Sequence, residues 1–206
     1  PCAGLQPFLD LDDEAMAVLA GLLVDEYAKR YLPEDTARFA YLLSRLKKSM
    51  TGLLCYLRDE QRQSSFKPVA CELKIGPGED AVRGQTYRLS DGRTVQLIGT
   101  VDRADEWIED DGTRWVRVVD YKTGAPHLEF AGVESLFRGE GKQRLSNILQ
   151  TLLYAMMLYR TRGVDAEPAL YYVRAMNRPD YLPTLDDRET GVRGGRYTLY
   201  AERFEE

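Results

Sequence analysis

The stretch that decides the fold is residues 97–124, LIGTVDRADEWIEDDGTRWVRVVDYKTG, which has the pattern of two β-strands joined by a tight turn. Alternating or continuous apolar residues predict the strands, and Asp-Asp-Gly at 110–112 predicts the turn. Charged residues nevertheless interrupt the strands, namely Asp102, Asp120 and Lys122. Because an isolated charge is costly to bury, we expect these side chains to compensate one another at a functional site.

The charged residues are predicted to lie on one face of a sheet. Asp120 and Lys122 are two residues apart and therefore share a face of their strand. Asp102 lies on the preceding strand, and Glu72 lies on the strand before that, KPVACELKIG (67–76). A meander of these three strands would bring the four side chains together. The sequence therefore predicts a cluster of three carboxylates and one lysine.

Such a cluster is suited to metal-assisted hydrolysis of phosphodiester bonds. Carboxylate oxygens select Mg²⁺ or Mn²⁺, and a lysine would orient water or neutralise developing negative charge. The alternative for Asp120 and Lys122 is a solvated ion pair on an edge strand, which contributes little to stability. That alternative does not account for Asp102 within the apolar strand LIGTV. We therefore favour the metal site.

Helices are predicted on both sides of the meander. Helical spacing of apolar residues predicts two upstream helices, over 10–31 and 33–63, and one downstream helix over 144–163. A strand follows over 166–176, with at most one more at 196–202. The order is helix, helix, three-strand meander, helix, strand. This order predicts an α/β fold in which helices flank a mixed central sheet.

Composition limits the class of protein. The 206 residues suit one domain or one with a short appendage, and no apolar run is long enough to span a membrane. A net charge of −5 opposes simple coating of DNA but is compatible with an enzyme whose carboxylates hold metal ions. The widely spaced Cys2, Cys55 and Cys71 predict reduced thiols in the cytoplasm. The first residue is not methionine, and we expect a segment of a longer protein.

Three motifs together resemble a known family of nucleases. They are GTVDRAD at 99–105, VVDYKTG at 118–124 and LQTLLYA at 149–155. In this order they resemble the RecB-type nuclease domain of the PD-(D/E)xK superfamily, whose core is restriction-endonuclease-like. The similarity is closest to the C-terminal nuclease domain of AddB-like subunits of helicase–nuclease complexes.

The resemblance implies a domain organisation and a cellular role. It covers roughly residues 34–175, so that residues 1–33 would be an N-terminal helical extension and residues 34–206 the nuclease domain. It implies a Mg²⁺- or Mn²⁺-dependent deoxyribonuclease, an exonuclease that leaves a 5′ phosphate. Its partners would be a single-stranded DNA end and a helicase subunit or fused helicase region, acting in recombination and double-strand break repair.

The resemblance also assigns roles to single residues. It implies a catalytic lysine, four metal-binding groups and three substrate-binding side chains. The catalytic lysine is Lys122. The metal-binding groups are Glu72, Asp102, Asp120 and the main-chain carbonyl of Tyr121. The substrate-binding side chains are Gln150, Tyr154 and Arg103. From the residues alone, Gln150 is equally well a buried, hydrogen-bonded glutamine, and Arg103 binds either a phosphate or a neighbouring carboxylate. Gly99 is expected to permit close packing beside the site.

Two features depart from the family pattern. Many members have a metal-binding histidine on a helix before the first core strand, whereas the only histidine here is His127, after the motif, where we expect a loop residue. Some members carry an iron–sulfur cluster, which the cysteines of this chain cannot complete. The departures leave two rivals open. One is a catalytically inactive domain that binds DNA or docks a subunit, and the other is a stand-alone exonuclease or restriction-type enzyme.

Overall fold

The computed structural model describes residues 5–31, 37–79, 81–137, 143–176, 178 and 180–205, and these residues form an α/β structure. The helices are α1 Leu5–Asp10, α2 Asp13–Tyr31, α3 Ala37–Gln63, α4 Val133–Phe137, α5 Gln143–Arg162 and α6 Ala201–Glu205. The strands are β1 Lys67–Ile75, β2 Thr86–Arg88, β3 Thr94–Gln96, β4 Gly99–Ile108, β5 Arg114–Lys122, β6 Glu129–Phe130, β7 Ala166–Tyr172, β8 Asp186–Asp187 and β9 Val192–Arg193.

The central sheet is mixed, as the sequence predicts. Its strand order is β1-β4-β5-β7. The pairs β1–β4 and β4–β5 are antiparallel, and β5–β7 is parallel. Antiparallel neighbours need only a short turn, whereas the parallel pair requires a crossover, which contains α5. The predicted fold class is therefore confirmed.

Glycines terminate the predicted elements where a left-handed backbone is needed. In the turn between β4 and β5, Gly112 has φ 88° and its amide donates to the Glu109 carbonyl at 2.9 Å. Gly163 has φ 65° and follows the last residue of α5, the position where glycine commonly ends a helix. The helix predicted over 144–163 is thereby confirmed. The start predicted for the second helix, at Pro33, lies outside the described residues.

Strand β1 departs from regular alternation at two positions. A register shift between Pro68 and Ala70 leaves Val69 exposed, although alternation predicts it on the same face as Leu73. Glu72 has φ 52°, a left-handed conformation that is uncommon for a residue other than glycine. Side chains at the centre of β1 therefore do not alternate regularly between the two faces of the sheet.

The C-terminal region contains structure that the sequence pattern does not predict. The expected strand at 196–202 is wrong, because Tyr197–Leu199 form a 3₁₀ turn and α6 begins at Ala201. Tyr197 and Tyr200 are both buried, and their spacing of three suits helical turns rather than a strand. Short strands β6, β8 and β9 form a further sheet.

The chain divides into two compact units, one within residues 66–172 and 182–206 and the other within 2–65 and 173–181. In the first unit, α5 packs against the central sheet and contributes Met157 and Leu158 to a core that includes Val118. In the second, α2 packs on α3. The predicted domain boundary at residues 33 and 34 lies outside the described residues. Within those residues, no helix is both long and apolar enough to cross a membrane.

Candidate active site

The central sheet forks between β4 and β5 at one end. Their register runs from Ile108 opposite Arg114 to Arg103 opposite Val119. Beyond that point β4 continues to pair with β1, as far as Gly99, while β5 continues to pair with β7. The fork exposes backbone groups that a regular ladder would satisfy. A gap of this kind, between two paired strands, can receive side chains and a ligand.

Asp102 occupies the fork from the β4 side. Its Oδ2 accepts a hydrogen bond of 2.7 Å from the backbone amide of Tyr121 on β5. Among the described residues, no donor bonds the second oxygen, Oδ1. One oxygen of Asp102 therefore ties the two strands together, and the other is available to a ligand.

Asp120 enters the fork from the β5 side and is only 4% exposed. Burial raises the pKa of its carboxyl above the usual range, and the Asp102 charge adds to the rise, while the Lys122 ammonium opposes both. Lys122 Nζ lies 2.5 Å from Asp120 Oδ2. That oxygen is buried and accepts no hydrogen bond of good geometry from the described residues. Lys122 thus pairs with Asp120, and the second carboxylate nearby, Asp102, leaves a net negative charge that favours a further cation.

Lys122 is held from its other side by helix α5. Its Nζ donates to Gln150 Oε1 at 3.0 Å, and Gln150 Nε2 donates to Tyr154 Oη at 2.9 Å. These two side chains are one turn apart on α5 and face the same way. The half-buried glutamine is thus hydrogen-bonded on both sides, and through Lys122 it is linked to Asp120. The structure therefore joins the predicted Gln-x-x-x-Tyr pair to the predicted lysine.

Gly99 permits this arrangement because the Tyr154 ring lies against its α-carbon. A β-carbon at Gly99 would lie 2.7 Å from Tyr154 Cε1 and 2.9 Å from its Oη, closer than side-chain atoms normally approach. The expectation that Gly99 allows close packing beside the site is confirmed.

Gly99→Ala is expected to lower the free energy of unfolding by about 1–3 kcal/mol, the usual cost of overpacking. Thermal or urea denaturation measures the change. Gly124→Ala is the matched control, because a β-carbon at that residue would meet nothing within 4 Å. In a Tyr154→Ala background the cost of Gly99→Ala should vanish. An equal cost in both backgrounds would mean that the Tyr154 ring is not the cause.

Arg103 binds a carboxylate. Its guanidinium contacts Asp105 through Nε at 2.7 Å and Nη2 at 2.9 Å, and Nη1 donates to Tyr121 Oη at 2.6 Å. Arg117 Nη2 reaches the same Asp105 at 2.9 Å. Of the two alternatives for Arg103, a phosphate or a neighbouring carboxylate, the structure shows the carboxylate. The buried Asp105 and the half-buried Arg117 were not among the predicted site residues, although their charges within apolar strands are a visible signal.

The structure does not bring Glu72 to the two aspartates. Among the described residues, no group of three or more histidine, cysteine, aspartate or glutamate side chains is placed to hold a metal ion. The Glu72 side chain is exposed, and the left-handed backbone at that residue breaks the alternation from which its position was predicted. His127 lies in the loop after β5, as expected, and its carbonyl accepts a hydrogen bond from Tyr172 Oη.

Comparisons with known proteins match most of the chain. A family model described as the PD-(D/E)XK nuclease superfamily matches residues 5–194. The chain is also similar to proteins named as subunits of an ATP-dependent helicase/deoxyribonuclease. That of Pelotomaculum thermopropionicum is 30% identical over 167 residues, 80% of this chain and 14% of the relative. That of Anoxybacillus flavithermus is 32% identical over 148 residues, 71% of this chain and 12% of the relative. The chain thus spans only a small part of these relatives.

Proposed function

The chain belongs to the PD-(D/E)XK nuclease superfamily, and we propose that it hydrolyses phosphodiester bonds of DNA with a divalent metal ion held by Asp102 and Asp120. The observation that carries the proposal is the position of Lys122 at the fork. Its ammonium lies 2.5 Å from Asp120 and 3.0 Å from Gln150, and the charge of Asp102 acts on the same Asp120 carboxyl. Holding Asp120 buried near a second carboxylate is costly without compensating cations, and a metal ion would add to the charge of the lysine.

The donor set suits Mg²⁺ or Mn²⁺. Mg²⁺ is commonly bound by one or two carboxylates, with water and substrate phosphate completing its shell. Asp102 Oδ1 accepts no hydrogen bond from the described residues and is available as a ligand, and a bound ion would share the Asp120 carboxylate with the Lys122 ammonium. The Tyr121 carbonyl remains a proposed further ligand. Glu72 remains a proposed ligand that would have to be recruited on binding, since its exposed side chain forms no metal-binding group with the aspartates.

When bound, such an ion polarises the scissile phosphate and lowers the pKa of a water molecule. The chain's own residues supply position and charge. Asp102 fixes the end of β5 through the Tyr121 amide, and so sets where Asp120 lies. Lys122 places a positive charge where negative charge develops on the phosphate, and Gln150 holds that ammonium in place.

We also propose a substrate, a partner and a cellular process for the activity. The relatives, named as subunits of an ATP-dependent helicase/deoxyribonuclease, pair a helicase with a deoxyribonuclease by name. The chain would then act on single-stranded ends that a helicase supplies, as an exonuclease, in recombination and repair of double-strand breaks in the cytoplasm. The inactive-scaffold alternative predicts DNA binding without cleavage.

The test is cleavage of end-labelled single- and double-stranded DNA with Mg²⁺, with Mn²⁺ and with EDTA. Lys122→Gln is expected to reduce the rate by about 10²–10³-fold, the effect of removing one preorganised electrostatic group. Stepwise shortening from an end would show an exonuclease, and internal fragments an endonuclease. Lys29→Gln, an exposed lysine on α2, is the matched control and should cleave normally.

Calorimetric titration with Mn²⁺ completes the test. Binding should persist in Lys122→Gln, because the lysine is not a ligand, and should be lost in Asp102→Asn. Cleavage that survives Lys122→Gln unchanged would contradict the proposed role of the lysine. DNA binding without cleavage, and without Mn²⁺ binding, would favour the scaffold alternative.

A further inference from the structure

A cavity of about 220 Å³ opens beside the candidate active site. One wall is a stripe along α5, and the other is the segment between β3 and β4. The α5 stripe consists of Ser146, Leu149, Gln150, Leu153, Tyr154 and Met157. Leu97 and Ile98 form the opposite wall. Two of the lining residues, Gln150 and Tyr154, are therefore the same side chains that hold Lys122.

We infer that this cavity binds one unstacked nucleobase of the DNA strand being cut. The inference rests on the proposed function and names the form of its substrate, a strand whose bases are free to leave a duplex stack.

The chemistry of the walls favours a base over a phosphate. Leucine, isoleucine and methionine side chains form most of the lining, and no lysine or arginine is among its described residues. The polar side chains of the lining, Ser146, Gln150 and Tyr154, all belong to the α5 wall, where Gln150 Nε2 donates to Tyr154 Oη. A flat apolar ring with a polar edge fits such a site, and apolar or aromatic contact is how proteins bind single-stranded bases without regard to sequence.

Ile98 supports a site that is open to a ligand. Its side chain is 64% exposed although it lines the cavity, in a segment whose neighbour Leu97 packs on the core. The exposed apolar surface at the rim would be covered by an inserted base. Burial of that surface would contribute to binding.

The position of the cavity favours a base of the DNA substrate over a separate small molecule. Gln150 lines the cavity and bonds Lys122, which in turn contacts Asp120. A group in the cavity is therefore only two side-chain contacts away from the carboxylates. A nucleotide whose phosphate lies at the carboxylates has its base, or that of its neighbour, within reach of the cavity.

The experiment is abasic scanning of binding. Fluorescence anisotropy is measured for end-labelled single-stranded oligonucleotides in which one position at a time lacks its base, with Ca²⁺ in place of Mg²⁺. Loss of one stacked base should weaken binding by about 5- to 150-fold at a single position, and little elsewhere. In Ile98→Ser and Ser146→Trp, which alter the rim at exposed positions, intact DNA should bind more weakly and the position-specific penalty should shrink. Ile108→Ser is the matched control, an exposed isoleucine at the other end of β4.

The outcomes separate this inference from the proposed function. Equal binding of every abasic oligonucleotide, or a penalty that persists in both rim variants, would overturn the base site while leaving cleavage in place. Absence of DNA binding would overturn it as well. A position-specific penalty in a protein that does not cleave DNA would support the base site and reject the nuclease proposal.

Discussion

Asp120→Asn is expected to slow DNA cleavage by about 10³-fold and, at the same time, to raise the melting temperature of the metal-free protein. Loss of a metal ligand removes several kcal/mol of transition-state stabilisation, and each 1.4 kcal/mol is about tenfold in rate. The stability gain follows from the burial of a carboxylate that is only 4% exposed. Asparagine keeps the shape of the side chain and carries no charge.

The rise in melting temperature of Asp120→Asn should depend on pH. Burial raises the pKa of Asp120 in the folded protein, so the folded state binds this proton more tightly than the unfolded state. The resulting stabilisation is complete below the ordinary aspartate pKa, about 3.9, and is lost as the pH rises through the raised value. Asp120→Asn does not titrate. The free energy of unfolding of the variant should therefore increase relative to that of the wild type as the pH rises through that range.

Thermal denaturation in EDTA across this pH range measures the difference. Lys122 loses its partner in the variant, but its side chain is 21% exposed and solvent reduces that cost. A variant that is less stable than the wild type at neutral pH would show that the Lys122 contact outweighs burial. Full cleavage activity in the variant would exclude Asp120 as a ligand.

Asp105→Ala is expected to lower the free energy of unfolding by about 3–5 kcal/mol, the cost of leaving a buried charge without its partner. Asp105 is fully buried and is the shared counterion of Arg103 and Arg117. Both guanidiniums also lie over the ring of Tyr171, at 5.1 and 5.9 Å from its centre. Removing the carboxylate would leave the two guanidiniums close together, and the Glu167 carboxyl near Arg117 would offset part of their charge.

Urea denaturation measures this loss. Glu106→Ala is the matched control, since its salt bridge with Arg114 is on the same strand pair but reaches solvent, and it should cost at most about 1 kcal/mol. Replacing Arg103 and Arg117 with methionine in the Asp105→Ala background should recover part of the loss. A change of less than about 1 kcal/mol for Asp105→Ala would mean that water enters this layer freely.

Much of the fold follows from local patterns in the sequence. The α5 helix was predictable because its apolar stripe is long and a glycine follows it. The strands β4 and β5 were predictable because an Asp-Asp-Gly turn joins two apolar runs. The prediction of a strand at 196–202 was wrong because a window of seven residues fits both the alternation of a strand and the spacing of a helical turn. Burial of Tyr197 and Tyr200, which is set by distant contacts, decides between the two.

The grouping of side chains at the candidate site was predictable where charges interrupt apolar strands, and less so where the backbone departs from regular geometry. Asp102, Asp120 and Lys122 meet because register places them at one end of the sheet. Glu72 does not join them, and its left-handed φ of 52° has no signature in the residue type. Arg103 and Asp105 show the same limit: the sequence indicates that their charges need partners, but not which partners.

The parallel pairing of β5 with β7 has a consequence for how the site assembles. A short turn joins the antiparallel strands β4 and β5, whereas β7 joins β5 only after the crossover through α5 closes a long loop. Loop-closure entropy makes such pairing slow. We expect Asp102 and Asp120 to be brought together early in folding, and Gln150 to reach Lys122 near the rate-limiting step, so that substitutions on α5 would mainly change the refolding rate.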